Sequence, residues 1–147
     1  MNKMQMLAEF KIKNHTDIKH ISVGGFCFNI DGQSVPFDFD ASGAIIKDGV
    51  VKYESGYGAF FNDFEISDVY NSEYEDLGLD IDDISAEFLA SADEIDEFYV
   101  HCEDSHGNVL NIDDGDIEII YVEFYDRDSF NTYLLQSSVV QAFNSRL

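Results

Sequence analysis

The chain has 147 residues, 45% hydrophobic and 14% aromatic, and sets 30 Asp and Glu against 8 Lys and Arg for a formal net charge of −22. That length suits one domain with a real core, and the aromatic content separates it from acidic disordered tails, which have too little apolar surface to offset chain entropy. The charge disfavours direct binding to nucleic acid or to an anionic membrane surface, and no apolar run approaches the roughly 18 residues of a membrane span.

Taken in chain order, the first half reads as antiparallel β. Residues 6–13 alternate, with Met6, Ala8, Phe10 and Ile12 on one side and Leu7, Glu9, Lys11 and Lys13 on the other. An apolar run over 21–30 enters Asp31-Gly32 and residues 35–39 leave it; residues 44–47 and 50–53 flank Asp48-Gly49 in the same way. An Asp-Gly pair between apolar runs is a strong hairpin signal, because both central residues of a type I′ turn need positive φ. Two hairpins are therefore expected. Residues 56–79, with Gly56, Gly58 and Gly78, read as irregular turns that Phe60, Phe61, Phe64, Ile66, Val69 and Tyr70 still pack.

From 82 to 98 the period changes. Ile84, Phe88, Ala92, Ile95 and Phe98 fall three and four apart, which predicts an amphipathic helix. Asp80, Asp82 or Asp83 would cap its start, whereas Asp93, Asp96 and Glu97 oppose the dipole at its other end. Strands are expected again over 98–102, 109–112 and 117–125, separated by turns at 105–108 and 113–116. A last helix from Asp128 or Ser129 to about Asn144 would pack Phe130, Tyr133, Leu134, Leu135, Val139, Val140 and Phe143 on the sheet. The expected fold is α+β: a single domain over 1–147, an antiparallel sheet of hairpins with a central acidic helix and a C-terminal helix on the sheet.

Charge divides the chain more sharply than structure does. Residues 1–52 are balanced, residues 53–126 hold 23 of the carboxylates and no Lys or Arg, and 127–147 form the predicted C-terminal helix. No Gly sits where a calcium loop needs it relative to its acids. The histidines His15, His20, His101 and His106 lack zinc spacing. No nucleophile elbow or Gly-rich phosphate loop is present, and Cys27, between Phe26 and Phe28 in an acidic chain, lacks the electropositive setting of a reactive thiol. No catalytic residue, metal site or cofactor is therefore expected, and a divalent-metal binder or a small carboxylate enzyme ranks last. Cys27 and Cys102 are too few for a disulfide framework, and with no signal-like apolar run near the start a cytoplasmic setting is expected.

A net charge of roughly 2–8 serves the solubility of a small domain, and a field this one-sided steers a basic partner. The expected partner is a basic protein that processes nucleic acid. On this reading the chain is an immunity protein that covers the cationic cleft of a bacterial nuclease-type toxin. The alternative is a phage- or plasmid-encoded nucleic-acid mimic, of anti-CRISPR or anti-restriction type, acting on a host defence nuclease. The candidate contact residues are Tyr74, Glu75, Asp76, Asp80, Asp82, Asp83 and Glu87, where a Gly-containing loop runs into the predicted helix.

Overall fold

The computed structural model describes residues 3–42, 45–46, 50–51 and 57–146, with side chains over 3–38 and 64–146. Two antiparallel four-stranded sheets and four short helices make a mixed α+β fold. The first sheet has the order β10-β9-β1-β6, from Asn131–Leu134, Ile117–Asp126, Lys3–Ile12 and Tyr57–Glu65. The second is β3-β2-β7-β8, from Gln33–Ser42, His20–Ile30, Glu94–Glu103 and Val109–Leu110. A two-stranded ribbon pairs β4 (Ile45–Ile46) with β5 (Val50–Val51). Helices α1 (Ile66–Val69), α2 (Ser72–Asp76) and α3 (Ala86–Ala90) lie between β6 and β7, and α4 (Ser137–Asn144) packs against β9 and β7. No helix among the described residues is long and apolar enough to cross a membrane.

Aromatic rings lace the two sheets together. Phe26 stacks on Phe98 at 4.3 Å and on Phe28 at 5.1 Å, and Phe10 from the opposite sheet meets Phe98 edge-on at 5.1 Å. Phe124 reaches across to Phe28 and Phe37, and Phe37 meets Phe64 at 5.1 Å. Burying a Phe contributes about 1.5–3 kcal/mol, and well-oriented ring pairs add about 0.5–1.5 kcal/mol each. Among the described residues no polar or charged side chain is buried.

The β1 alternation holds, with Met4, Met6, Ala8, Phe10 and Ile12 all buried. The Asp31-Gly32 hairpin forms with φ of 52° and 81° at its two central residues. In the second predicted hairpin Ile45 pairs with Val51 and Ile46 with Val50, while its Asp48-Gly49 turn lies outside the described residues. The strand over 117–126 follows its turn as expected.

Three expectations fail. Residues 57–65, read as irregular, form β6, which pairs with β1 along its whole length. The helix expected over 82–98 is instead a 3₁₀ turn at Ile81–Asp83, the short α3, and strand β7 from Glu94. Ile95 and Phe98 both face the core although three apart, because the β2–β7 register shifts between them, opposite Cys27 and Phe28. A β-bulge changes strand parity and so produces the same spacing as a helical turn. The same device sends Val23 and Phe26 inward on β2, and Ile119 and Val122 inward on β9. With residues 94–97 extended, Asp96 and Glu97 face no helix dipole. Finally, the C-terminal helix begins at Ser137, and residues 131–134 form β10: Tyr133 and Leu135 turn towards the protein while Thr132 and Leu134 face out.

The β2 bulge depends on Gly25, whose φ is 130° and where a Cβ would collide with the Phe37 carbonyl oxygen. Gly32, also at positive φ, has nothing within 4 Å of an added Cβ. Gly25→Ala should therefore lower stability by more than about 2 kcal/mol, and Gly32→Ala by only the roughly 1–2 kcal/mol of left-handed strain. Urea denaturation of the two variants measures the difference.

Candidate functional site

One end of the sandwich gathers the acidic segment. Met4 pairs with Asp126 and Lys3 with Glu65, which brings together the start of β1 and the ends of β9 and β6. Phe124 touches Phe28, and Asp93 N–H donates to the Asn29 carbonyl at 2.8 Å, which adds the Asp31-Gly32 turn and the start of β7 to the same end. Residues 66–93 run around this end. Helix α1 bridges β6 and β3, whereas α3 lies against β9 and β10.

Short caps and inward apolar residues hold this path. Asn71 Oδ1 accepts from Glu73 N–H at 2.9 Å to start α2, and Ser85 Oγ accepts from Phe88 N–H at 3.1 Å to start α3. Ile84, Ala86, Leu89 and Ala92 are buried beneath the segment. Tyr70 and Tyr74 stack at 5.6 Å, with the Tyr70 hydroxyl donating to the Leu79 carbonyl at 2.6 Å and the Tyr74 hydroxyl to the Pro36 carbonyl.

This arrangement sorts the residues singled out from the sequence. Tyr74 is a correction: it is 0% exposed and belongs to the core, so its ring is not offered to a partner. Asp80 and Asp83 are exposed but cap each other's turn, with Asp80 N–H donating to Asp83 Oδ2 at 2.7 Å. Glu75, Asp76, Asp82 and Glu87 are exposed and meet no cation or hydrogen-bond donor among the described residues. Of the described cations, Lys3 pairs with Glu65 at 3.7 Å, and Arg146 with Glu94 at 3.1 Å and Asp114 at 3.5 Å.

The structure adds residues that the chain order had separated. Beside α2, an open groove of about 350 Å³ is lined by Cys27, Ser34, Pro36, Glu73, Asp76 and Leu77. Asp38, Asp96 and Glu97 lie close enough to raise the Cys27 thiol, after burial, the largest cause. Tyr99, 42% exposed, stands on the same outer face, one pair along from Asp38 through Gly25. Asp38 and Tyr99 lie in strands that the sequence led one to expect, over 35–39 and 98–102, whereas Asp96 and Glu97 were hidden by reading 82–98 as a helix. Cys27 Sγ lies 2.9 Å from Ser34 Oγ, and Cys102 is buried with its thiol pushed up to about 11, so neither is primed as a nucleophile.

Elsewhere, His15 lies 3.3 Å from Asp116 and His101 3.3 Å from Glu103, one carboxylate each. Among the described residues no three His, Cys, Asp or Glu side chains are grouped to hold a metal ion. Neither the protein-family models, nor the curated proteins, nor the solved structures compared with this chain match it.

The acids leave a mark on the tyrosines of this end. Burial first, then Glu75, Asp80 and Asp83, raise the Tyr70 hydroxyl; burial, then Asp38 and Glu73, raise Tyr74 further. A hydrogen bond to Glu97 leads the causes that push Tyr99 up to about 12. The folded chain thus holds these protons more tightly than the unfolded chain, whose tyrosines titrate near the ordinary value of 10.0. This contribution to stability is complete below pH 10 and is lost as pH rises through the folded values. Urea denaturation across alkaline pH should show stability falling from pH 10 to 12, less steeply in Tyr99→Phe.

Proposed function

We propose that this chain is an acidic inhibitor that binds a basic nucleic-acid-processing protein, as an immunity protein covering the cationic cleft of a nuclease-type toxin in the cytoplasm. The observation that carries this reading is the set of exposed carboxylates at one end of the sandwich, Glu73, Glu75, Asp76, Asp82 and Glu87, which face no cation among the described residues. Like charges held together destabilise the chain that carries them. A cationic surface offsets that cost on binding, and the field raises the rate of encounter by about 10–10³-fold.

The groove beside α2 supports contact with a cationic partner, since Glu73 and Asp76 line an open depression where a Lys or Arg side chain would meet two carboxylates. Regular mimicry of a nucleic-acid backbone has less support. The acids stand on a short helix, a 3₁₀ turn, a second helix and two strands, and Asp80 and Asp83 are turned to their own cap.

Charge reversal tests the reading. With purified cationic nuclease domains as the probe, Glu75→Lys with Asp76→Lys and Glu87→Lys should slow association by about tenfold or more in low salt. The control is Glu118→Lys at the far end of β9. Eight residues of strand put it roughly 26 Å from Asp126 at the other end of β9, against a Debye length of about 8–10 Å. Stopped-flow rates across a salt series measure both, and equal effects of the two reversals would refute the proposal.

A further inference from the structure

The β9–β10 hairpin turns at this same acidic end, through residues 127–130. Its last residue, Phe130, has φ of 62°, the left-handed region that bulky side chains avoid. The same residue is 77% exposed, the largest value among the exposed large hydrophobics, and Leu134 on β10 is 59% exposed. Asn or Gly would meet the backbone requirement without strain, and either would leave no aromatic ring in water. The chain thus carries two separate costs at one position, a pattern that clusters at functional sites.

The turn is braced around this residue. Phe130 N–H donates to the Asp126 carbonyl at 2.8 Å, and Asp126 Oδ1 accepts from Asp128 N–H at 2.9 Å and Ser129 N–H at 3.4 Å. Arg127 N–H donates to the Lys3 carbonyl at 3.1 Å, tying the turn to β1. A ring on so fixed a platform loses little conformational freedom on binding. Acids outnumber cations around it: Asp126 and Asp128 lie in or beside the turn with Arg127 between them and Lys3 next to it, Glu123 pairs with Leu134, and α3 with its exposed Glu87 packs beside β10. An apolar anchor inside a charged rim is the arrangement of an interface hot spot. Charge complementarity selects the occupant, because a second copy would bring −22 against −22.

We propose that Phe130, with Leu134 four residues further along the same hairpin arm, is the apolar anchor by which this chain docks into a cation-rimmed pocket of its basic partner. This rests on the inhibitor reading and adds the residue that holds the complex once charge has steered it together. Charge then governs association, and the ring governs dissociation.

The test uses the whole chain, a panel of purified cationic nuclease domains and surface plasmon resonance. Phe130→Asn removes the ring and relieves the backbone, so its melting temperature should equal or exceed that of the parent chain. Its dissociation from a bound domain should be about thirtyfold faster, with the association rate little changed. Leu134→Ser should act in the same direction and more weakly. Unaltered dissociation of Phe130→Asn would overturn the anchor and leave the inhibitor reading standing. A Phe130→Asn variant that melts lower would show that the ring supports the fold instead. A parent chain that sediments as a dimer and becomes monomeric in Phe130→Asn would assign the ring to a second copy and overturn the proposal. If the parent chain binds no domain of the panel in low salt, the inhibitor reading fails and the anchor with it.

Discussion

The layer of phenylalanine rings between the two sheets is what the rest of the molecule depends on. Phe26, Phe28, Phe37 and Phe98 from one sheet meet Phe10, Phe64 and Phe124 from the other. At about 1.5–3 kcal/mol for each buried ring, this layer offsets a repulsion that would strain a weaker core. It also needs no polar groups, and among the described residues none is buried. Every described carboxylate can therefore stand at the surface, including those that no described cation answers.

Three β-bulges fit these rings into the layer, and they mark where the sequence could and could not be read. Regular alternation made β1 plain, and Asp31-Gly32 made its hairpin plain, since both signals are local. A bulge is different, because its extra residue is defined only against a partner strand. Ile95 and Phe98, three apart, imitate one turn of helix unless β2 is known to lie alongside. The acids at 93, 96 and 97 were the local protest against the helix, and the structure resolves it by ending the helix at Ala90 and placing Asp96 and Glu97 in β7. Strand β6 was hidden by glycines that suggested turns, and β10 by a helical spacing that placed Phe130 in a core it does not join.

The candidate site was legible in part for the same reason. Glu75, Asp76, Asp82 and Glu87 could be recognised as exposed from charge density alone, because unpaired acids are not buried. Tyr74 could not, since its place under α2 depends on the Pro36 carbonyl 38 residues away. Nor could the approach of Asp38, Asp96 and Glu97 to Cys27, which three different strands assemble.

The acids themselves divide into two groups. Asp17 accepts from Ser105, Asp93 from Asp31 N–H, Asp104 from the 106 and 108 amides, and Asp116 from Asn14; these hold turns in place. Hydrogen bonds of this kind hold the Asp104 and Asp116 carboxyls below the usual range. Glu75, Asp76, Asp82 and Glu87 do no such work among the described residues. On the inhibitor reading, this second group serves a partner at the expense of the fold. The most direct measurement is the melting temperature, across a salt series, of a variant carrying Gln or Asn at all four positions. A melting temperature higher than that of the parent chain is expected in low salt, with the gap closing as salt screens the repulsion. A variant that melts lower than the parent would contradict it, because the four carboxylates would then be holding the structure together.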